Sequence, residues 1–277
     1  MKTKIYNYAI VTKSLLILLT ATLTVFSSCK KEDGTEPEAA PEIPPETSMV
    51  MNFSDFNNVD TTAYKSSVTY QHWGRAAAHV LVWNTVLTVT LAVPVASFRE
   101  SFKHTPVYDP DINSWVWSYN FVAAGDIHLA ELHGTVTPNG VEWNMYISRD
   151  GHYSDFLWYS GTSDAGNESG SWVLNTNPDN PNSFLLIEWN RDIVNGNYDI
   201  KYTNIATSNP NNGSYIFYGK TSDLMDATYN IYNSSEINFV RINWSRAYIF
   251  GQIKDPFFFE DEEFHCWDEM RMDSECQ

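Results

Sequence analysis

Between Trp115 and Trp244 apolar and polar residues alternate with period two, and nothing else in this chain limits its fold so tightly. Trp115, Trp117, Tyr119 and Phe121 alternate with Val116, Ser118 and Asn120. Val141, Trp143, Met145 and Ile147 alternate with Glu142, Asn144, Tyr146 and Ser148, and Tyr198, Ile200 and Tyr202 with Asp199, Lys201 and Thr203. Val240, Ile242 and Trp244 oppose Ile237, Phe239 and Arg241. Successive side chains of a strand point to opposite faces, so each of these runs reads as a half-buried strand. Clusters such as Thr137-Pro138-Asn139-Gly140, Asn195-Gly196-Asn197 and Asn209-Pro210-Asn211-Asn212-Gly213 separate the runs. Asn, Gly and Pro there supply positive or preset φ for turns. The expected class is mainly β: an antiparallel meander of about ten strands over residues 115 to 254, because short loops force antiparallel neighbours. Closing the meander into a barrel would remove its two edges. The competing architecture is a two-sheet sandwich with a helix across one end.

The segment ahead of the strands is different. Ala76 to Phe98 (AAAHVLVWNTVLTVTLAVPVASF) carries no charge at all. Ala76, Ala77, Val80, Leu81, Asn84, Leu87, Leu91 and Val95 share a stripe at helical spacing. Pro94 should kink the helix near its end. The β-branched run from Val86 to Val93 also permits a buried strand. The length would span a bilayer, but His79, Asn84 and several hydroxyl residues interrupt it. The reading is one long apolar helix near the N-terminus, over about 70–102. Being apolar all round, it should be buried in or against the strands.

Met1-Lys2-Thr3-Lys4 and Lys13 precede an apolar run, Ser14 to Phe26, which has the length of a signal segment and is too short for a permanent span. Ser27-Ser28-Cys29 follows, and the stretch resembles the lipobox of bacterial lipoproteins, with Phe26 in place of the usual Leu. The resemblance implies acylation of Cys29 and removal of residues 1–28. Several acyl chains would anchor the protein, since one binds membranes only marginally. Cys29-Lys30-Lys31-Glu32-Asp33 resembles the charged stretch of Bacteroidetes lipoproteins sent to the outer membrane, often to its outer face. Residues 29–48 (the cysteine, then KKEDGTEPEAAPEIPPETS) are Pro- and Glu-rich without an aromatic, the composition of a disordered tether. Residues 49–277 are then a single β-rich domain.

Charge excludes one class of partner. The formal net charge is −17, and loss of residues 1–28 removes three lysines and no acid, giving −20. No basic patch exists to hold phosphates, so nucleic acid is not a partner. The tail from Asp255 to Gln277 holds nine acids against Arg271 alone.

Candidate chemistry is sparse. Asp109, Asp111 and Asn113 open like an EF-hand Ca²⁺ loop, but Ser114 stands where Gly is needed and Asn120 where the closing Glu is needed. A turn accounts for the same residues. His128, Glu131 and His133 do not converge, because on a strand His128 faces away from the other two. Glu131, Glu142, Glu188 and Asp192 are candidates for a glycosidase pair, but a chain with 34 acids holds such pairs by chance. No phosphate loop, GxSxG elbow or Cys–His signature is present, and no cofactor is implied.

Aromatic residues make up 15% of the chain. Exposed on a sheet face they would stack on sugars; turned inward they would form core or line an apolar cavity. With Cys29 assigned to lipid, Cys266 and Cys276 remain as a pair in an oxidising compartment, which points to a disulfide clasping the acidic tail. His265 is then a neighbour of the bridge. Metal binding would need more ligands and reduced thiols.

The stretches AAAHVLVWNTVLTVTLAVPVASFRESF, DFLWYSGTS, DIKYTNI, SYIFYG and FHCWDEM make the chain resemble an uncharacterised lipoprotein family of flavobacteria and related Bacteroidetes. The resemblance runs over Val80–Phe102 and Trp115–Cys276; it implies an outer-membrane address and brings no assigned activity. Two functions remain. One is a membrane-anchored, non-catalytic binding or structural module with a cavity for an apolar small molecule. The other is a carbohydrate-binding module or glycan-acting hydrolase with exposed Trp and Tyr.

Overall fold

The computed structural model describes residues 39–56 and 70–276. Cys29 and the signal segment lie outside the described residues. Fourteen strands among the described residues form one antiparallel meander in strict sequence order. They are β1 (Val107–Asp109), β2 (Ser114–Ala123), β3 (Asp126–Thr137), β4 (Gly140–Arg149), β5 (Tyr153–Ser163), β6 (Ser169–Asn177) and β7 (Asn180–Asp192). Then come β8 (Asn197–Asn204), β9 (Tyr215–Lys220), β10 (Ala227–Asn233), β11 (Asn238–Trp244), β12 (Gly251–Lys254), β13 (His265–Trp267) and β14 (Asp273–Ser274). Two helices precede the sheet, α1 (Gln71–Thr90) and α2 (Ala92–Ser101), and a single turn, α3 (Pro256–Phe259), follows β12.

The meander is present, but the sheet does not close as a barrel. Among the described residues β1 pairs with β2 alone and β14 with β13 alone. Both edge strands are very short, three and two residues, which blunts the exposed edges without closure. The two ends of the sheet meet the helices instead of each other: α2 packs on β2, and α1 on β12, β13 and β14. The strand count exceeds ten mainly because β1 precedes the expected range and the acidic tail, expected to lie beyond the sheet, contributes β13 and β14.

One face of the sheet is the core, and tryptophan fills it. Trp117, Trp143, Trp172, Trp189, Trp244 and Trp267 are all buried there. Five of them sit directly across from a glycine on a neighbouring strand, in the pairs Gly134↔Trp143, Gly161↔Trp172, Gly170↔Trp189, Gly251↔Trp244 and Gly251↔Trp267. The indole lies over the space a side chain would occupy. At Gly161 an added Cβ would stand 2.2 Å from the Ser171 carbonyl oxygen and 2.4 Å from the Trp172 ring.

The expectation of one long buried helix is corrected on two counts. The chain bends by 71° between α1 and α2, at Leu91. Pro94 has no N–H to give to the Thr90 carbonyl and its ring crowds that oxygen, so the break falls in the turn before the proline. Bonds from Leu91 N to the Leu87 carbonyl (2.8 Å) and Val95 N to the Leu91 carbonyl (2.9 Å) continue on either side. Second, α1 buries one face only. Trp73, Ala76, Ala77, Val80 and Leu87 are in the core, whereas Val82, Val86 and Val89 are 63%, 54% and 75% exposed. The indoles already occupy the inner face of the sheet and leave no room to enclose a helix. No single helix among the described residues is long and apolar enough to cross a membrane.

Residues 39–48, expected to belong to a disordered tether, are ordered, while 29–38 lie outside the described residues. Ala39 onward belongs to the compact unit that contains the sheet, and residues 43–56 run as a strap across the aromatic face. Polar ends of buried rings hold it. The Tyr202 hydroxyl donates to the Met49 carbonyl (2.7 Å) and accepts from Met51 N (2.9 Å). Trp172 Nε1 donates to Ser48 Oγ (3.3 Å), Trp244 Nε1 to Asp55 Oδ2 (3.1 Å), and the Tyr229 hydroxyl to the Asn52 carbonyl. Composition signals disorder only when no partner supplies such bonds.

Candidate functional site

An apolar groove of about 590 Å³ runs between α1 and one end of the strands. The helix contributes Ala78, Val82, Trp83, Val86 and Thr90; the facing wall contributes Phe184 and Leu185 of β7, Ile231 of β10 and Val240 of β11. Asparagines from strand ends and turns, Asn204, Asn209, Asn211 and Asn233, edge it. This mixture of an apolar lining with a few polar groups is typical of small-molecule sites, as is the volume.

One end of the groove rests on a buried charge. The Asp255 side chain is 0% exposed and accepts three hydrogen bonds. Arg75 Nε donates to Oδ2 at 2.7 Å, His79 Nε2 to Oδ2 at 2.9 Å, and Asn238 Nδ2 to Oδ1 at 2.9 Å. Burial alone would raise the pKa of this carboxyl. The bonds from His79, Asn238 and Arg75 outweigh it and hold Asp255 well below the usual carboxylate range. Arg75 and His79 are one helical turn apart on α1, so they share a face. Asp255 is fixed from the other side by α3, whose Phe258 and Phe259 amides donate to its carbonyl.

The tail that carries the cysteines positions this helix. Cys266 and Cys276 are joined in a disulfide with their Cα atoms 5.2 Å apart. The bridge encloses β14, and there the Asp273 carboxylate accepts from the first two amides of α1, Gln71 N at 3.1 Å and His72 N at 2.9 Å. A carboxylate at a helix N-terminus satisfies orphan donors and favours the helix dipole. His265 stacks on Phe259 with ring centroids 3.7 Å apart and bonds Asp261 at 3.1 Å.

The chain matches no family model, no curated protein and no solved structure.

The other sequence candidates do not assemble into sites. Asp109 Oδ1 accepts from Asp111 N (2.9 Å) and Asn113 Oδ1 from the Tyr108 hydroxyl (2.8 Å), which makes them a hairpin turn between β1 and β2. Among the described residues no three His, Cys, Asp or Glu side chains come together as a metal site. His128 is buried against Phe121, with ring centroids 5.1 Å apart, while Glu131 and His133 lie on the opposite, outer face and contact each other at 3.4 Å. Glu142 and Glu188 are exposed on separate strands and Asp192 ends β7; none lines the groove.

Arg75, His79, Asn238 and Asp255 escaped the reading of the sequence. His79 entered it only as an interruption of an apolar run. The usable signal was a cation and an imidazole four residues apart, opening an uncharged helix with no acid within reach on it. Such a face requires a carboxylate from elsewhere, and the acidic tail supplies it. With nine acids to choose from, spacing could not say which.

Proposed function

We propose that this protein is a lipid-anchored, non-catalytic binding module of the bacterial outer membrane, tethered through Cys29, that holds an apolar small molecule in the groove along α1. The observation that carries the reading is where the aromatics point. Eight of the ten tryptophans are buried, and the other two, Trp83 and Trp115, are half-buried. A sugar platform needs ring faces open to solvent, and the tryptophans spend theirs on the core. On α1, Val82 and Val86 meet solvent and line the groove, 63% and 54% exposed.

Arrangement of the acids supports a non-catalytic role. Glycoside hydrolysis needs two carboxyl groups facing each other across a cleft. Here Asp255, under the groove, is committed to three donors and held ionised. Glu236, the carboxylate on the lining, is exposed in a turn and among the described residues faces no second acid there.

Two measurements test the two halves. Native mass spectrometry of the full chain released gently from membranes should show a bound apolar species of small mass; a chain carrying nothing, in every preparation, would count against the binding role. Labelled palmitate should enter the wild-type protein and not Cys29→Ala, and label in Cys29→Ala would refute the anchor.

A further inference from the structure

The groove has a direction and a length, and these narrow its ligand. Its helical wall runs from Arg75 to Thr90, which at the α-helical rise is about 22 Å. Its other wall crosses from β7 to β11, four strand spacings or about 19 Å. A volume of about 590 Å³ spread over a length of about 20 Å is a narrow slot. The ends of the slot differ. At the α1 N-terminal end stand Arg75, His79 and Asn238; toward the other end stand Val86, Leu87, Phe184 and Leu185.

Arg75 is the only Lys or Arg on the lining. Its Nε is bound to Asp255 and its guanidinium lies over the Phe258 ring, 4.5 Å from the centroid. Both contacts fix its orientation. Among the described residues its two terminal amino nitrogens have no hydrogen-bond partner, and the side chain is 28% exposed. A planar fork held in this way, with donors left over, matches a carboxylate. The carboxylate on the lining, Glu236, is exposed in the turn between β10 and β11. Solvent screens it from an anion seated at Arg75.

We infer that the groove takes an unbranched fatty acid, its carboxylate on the terminal nitrogens of Arg75 and its chain lying along Val82 and Val86 toward Phe184. This rests on the apolar-binding role proposed above and specifies its ligand.

The test is displacement of a fluorescent long-chain fatty acid from the full chain, stripped of co-purifying lipid, by palmitate, by hexadecanol and by a polycyclic hydrocarbon. Palmitate should compete at least about tenfold better than hexadecanol, the equivalent of one charge-assisted hydrogen bond. Val86→Glu, at an exposed position that leaves the core untouched, should weaken palmitate by at least about tenfold while circular dichroism stays unchanged. Equal competition by acid and alcohol would overturn the role of Arg75. Undiminished binding by Val86→Glu would overturn the groove as the site. Binding of the polycycle with failure of both chains would refute the fatty acid and leave an apolar-binding role standing. If none of the three bound, both would fall.

Discussion

Replacing Asp255 by Asn tests whether the buried carboxylate holds α1 to the sheet by its charge. Asparagine has nearly the same shape. Its amide oxygen can still accept from Arg75 and His79, and Asn238 can turn its own amide to accept from the new NH2 group. What disappears is the negative charge opposite Arg75, at 2.7 Å and with the acid 0% exposed. Removing one partner of a buried pair costs about 3 to 5 kcal/mol, and Arg75, being partly exposed, puts this case near 3. For a domain of this size that is a fall in Tm of roughly 6 to 12 °C. The pH dependence separates charge from packing. Asp255 has its pKa depressed in the folded state, so its contribution is complete above the unfolded value of about 4 and is lost as pH falls below it. The difference between wild type and Asp255→Asn, measured by urea unfolding, should be at its full size at pH 5. It should narrow by about 1 kcal/mol at pH 3, since the limiting slope is about 1.4 kcal/mol per pH unit. A loss below about 1 kcal/mol at pH 7 would refute the buried-pair argument, and a gap that stayed the same at pH 3 would show that shape and not charge is at stake.

Two further outcomes follow from the packing. Cys276→Ser opens a small loop and should cost about 2 to 3 kcal/mol in the chain-entropy model; because β14 carries the Asp273 cap, amide exchange should rise first at Gln71 and His72, and protection unchanged there would uncouple the clasp from the helix. Gly161→Ala should cost about 3 kcal/mol or more, above ordinary overpacking, because the nearest atom to the added Cβ is a backbone oxygen at 2.2 Å that cannot move aside; a chemical midpoint equal to wild type would mean that the Gly–Trp pairs do not set strand spacing.

The sequence alone determined the strands, because their alternation is local: Val240, Ile242 and Trp244 are buried as their period requires, and Ile237 is 81% exposed. It also determined most of the stripe of α1 that faces the core, Ala76, Ala77, Val80 and Leu87, although Leu81, expected on the same stripe, is 46% exposed, and it determined the separation of His128 from Glu131 and His133. Each of these follows from neighbours within one element, where side-chain direction is fixed by backbone geometry. Only the tertiary structure decided closure, since whether β1 meets β14 depends on what fills the space between them, and six indoles and two helices do. Ordering of residues 39–48 belongs to the same class: Ser48 is held by Trp172 from 124 positions away. So does the choice of Asp255 among nine acids as the partner of Arg75, 180 positions earlier in the chain. A single sequence has a period that declares which face of a strand is apolar, but contacts over such separations leave no local pattern, and the groove is made almost wholly of them.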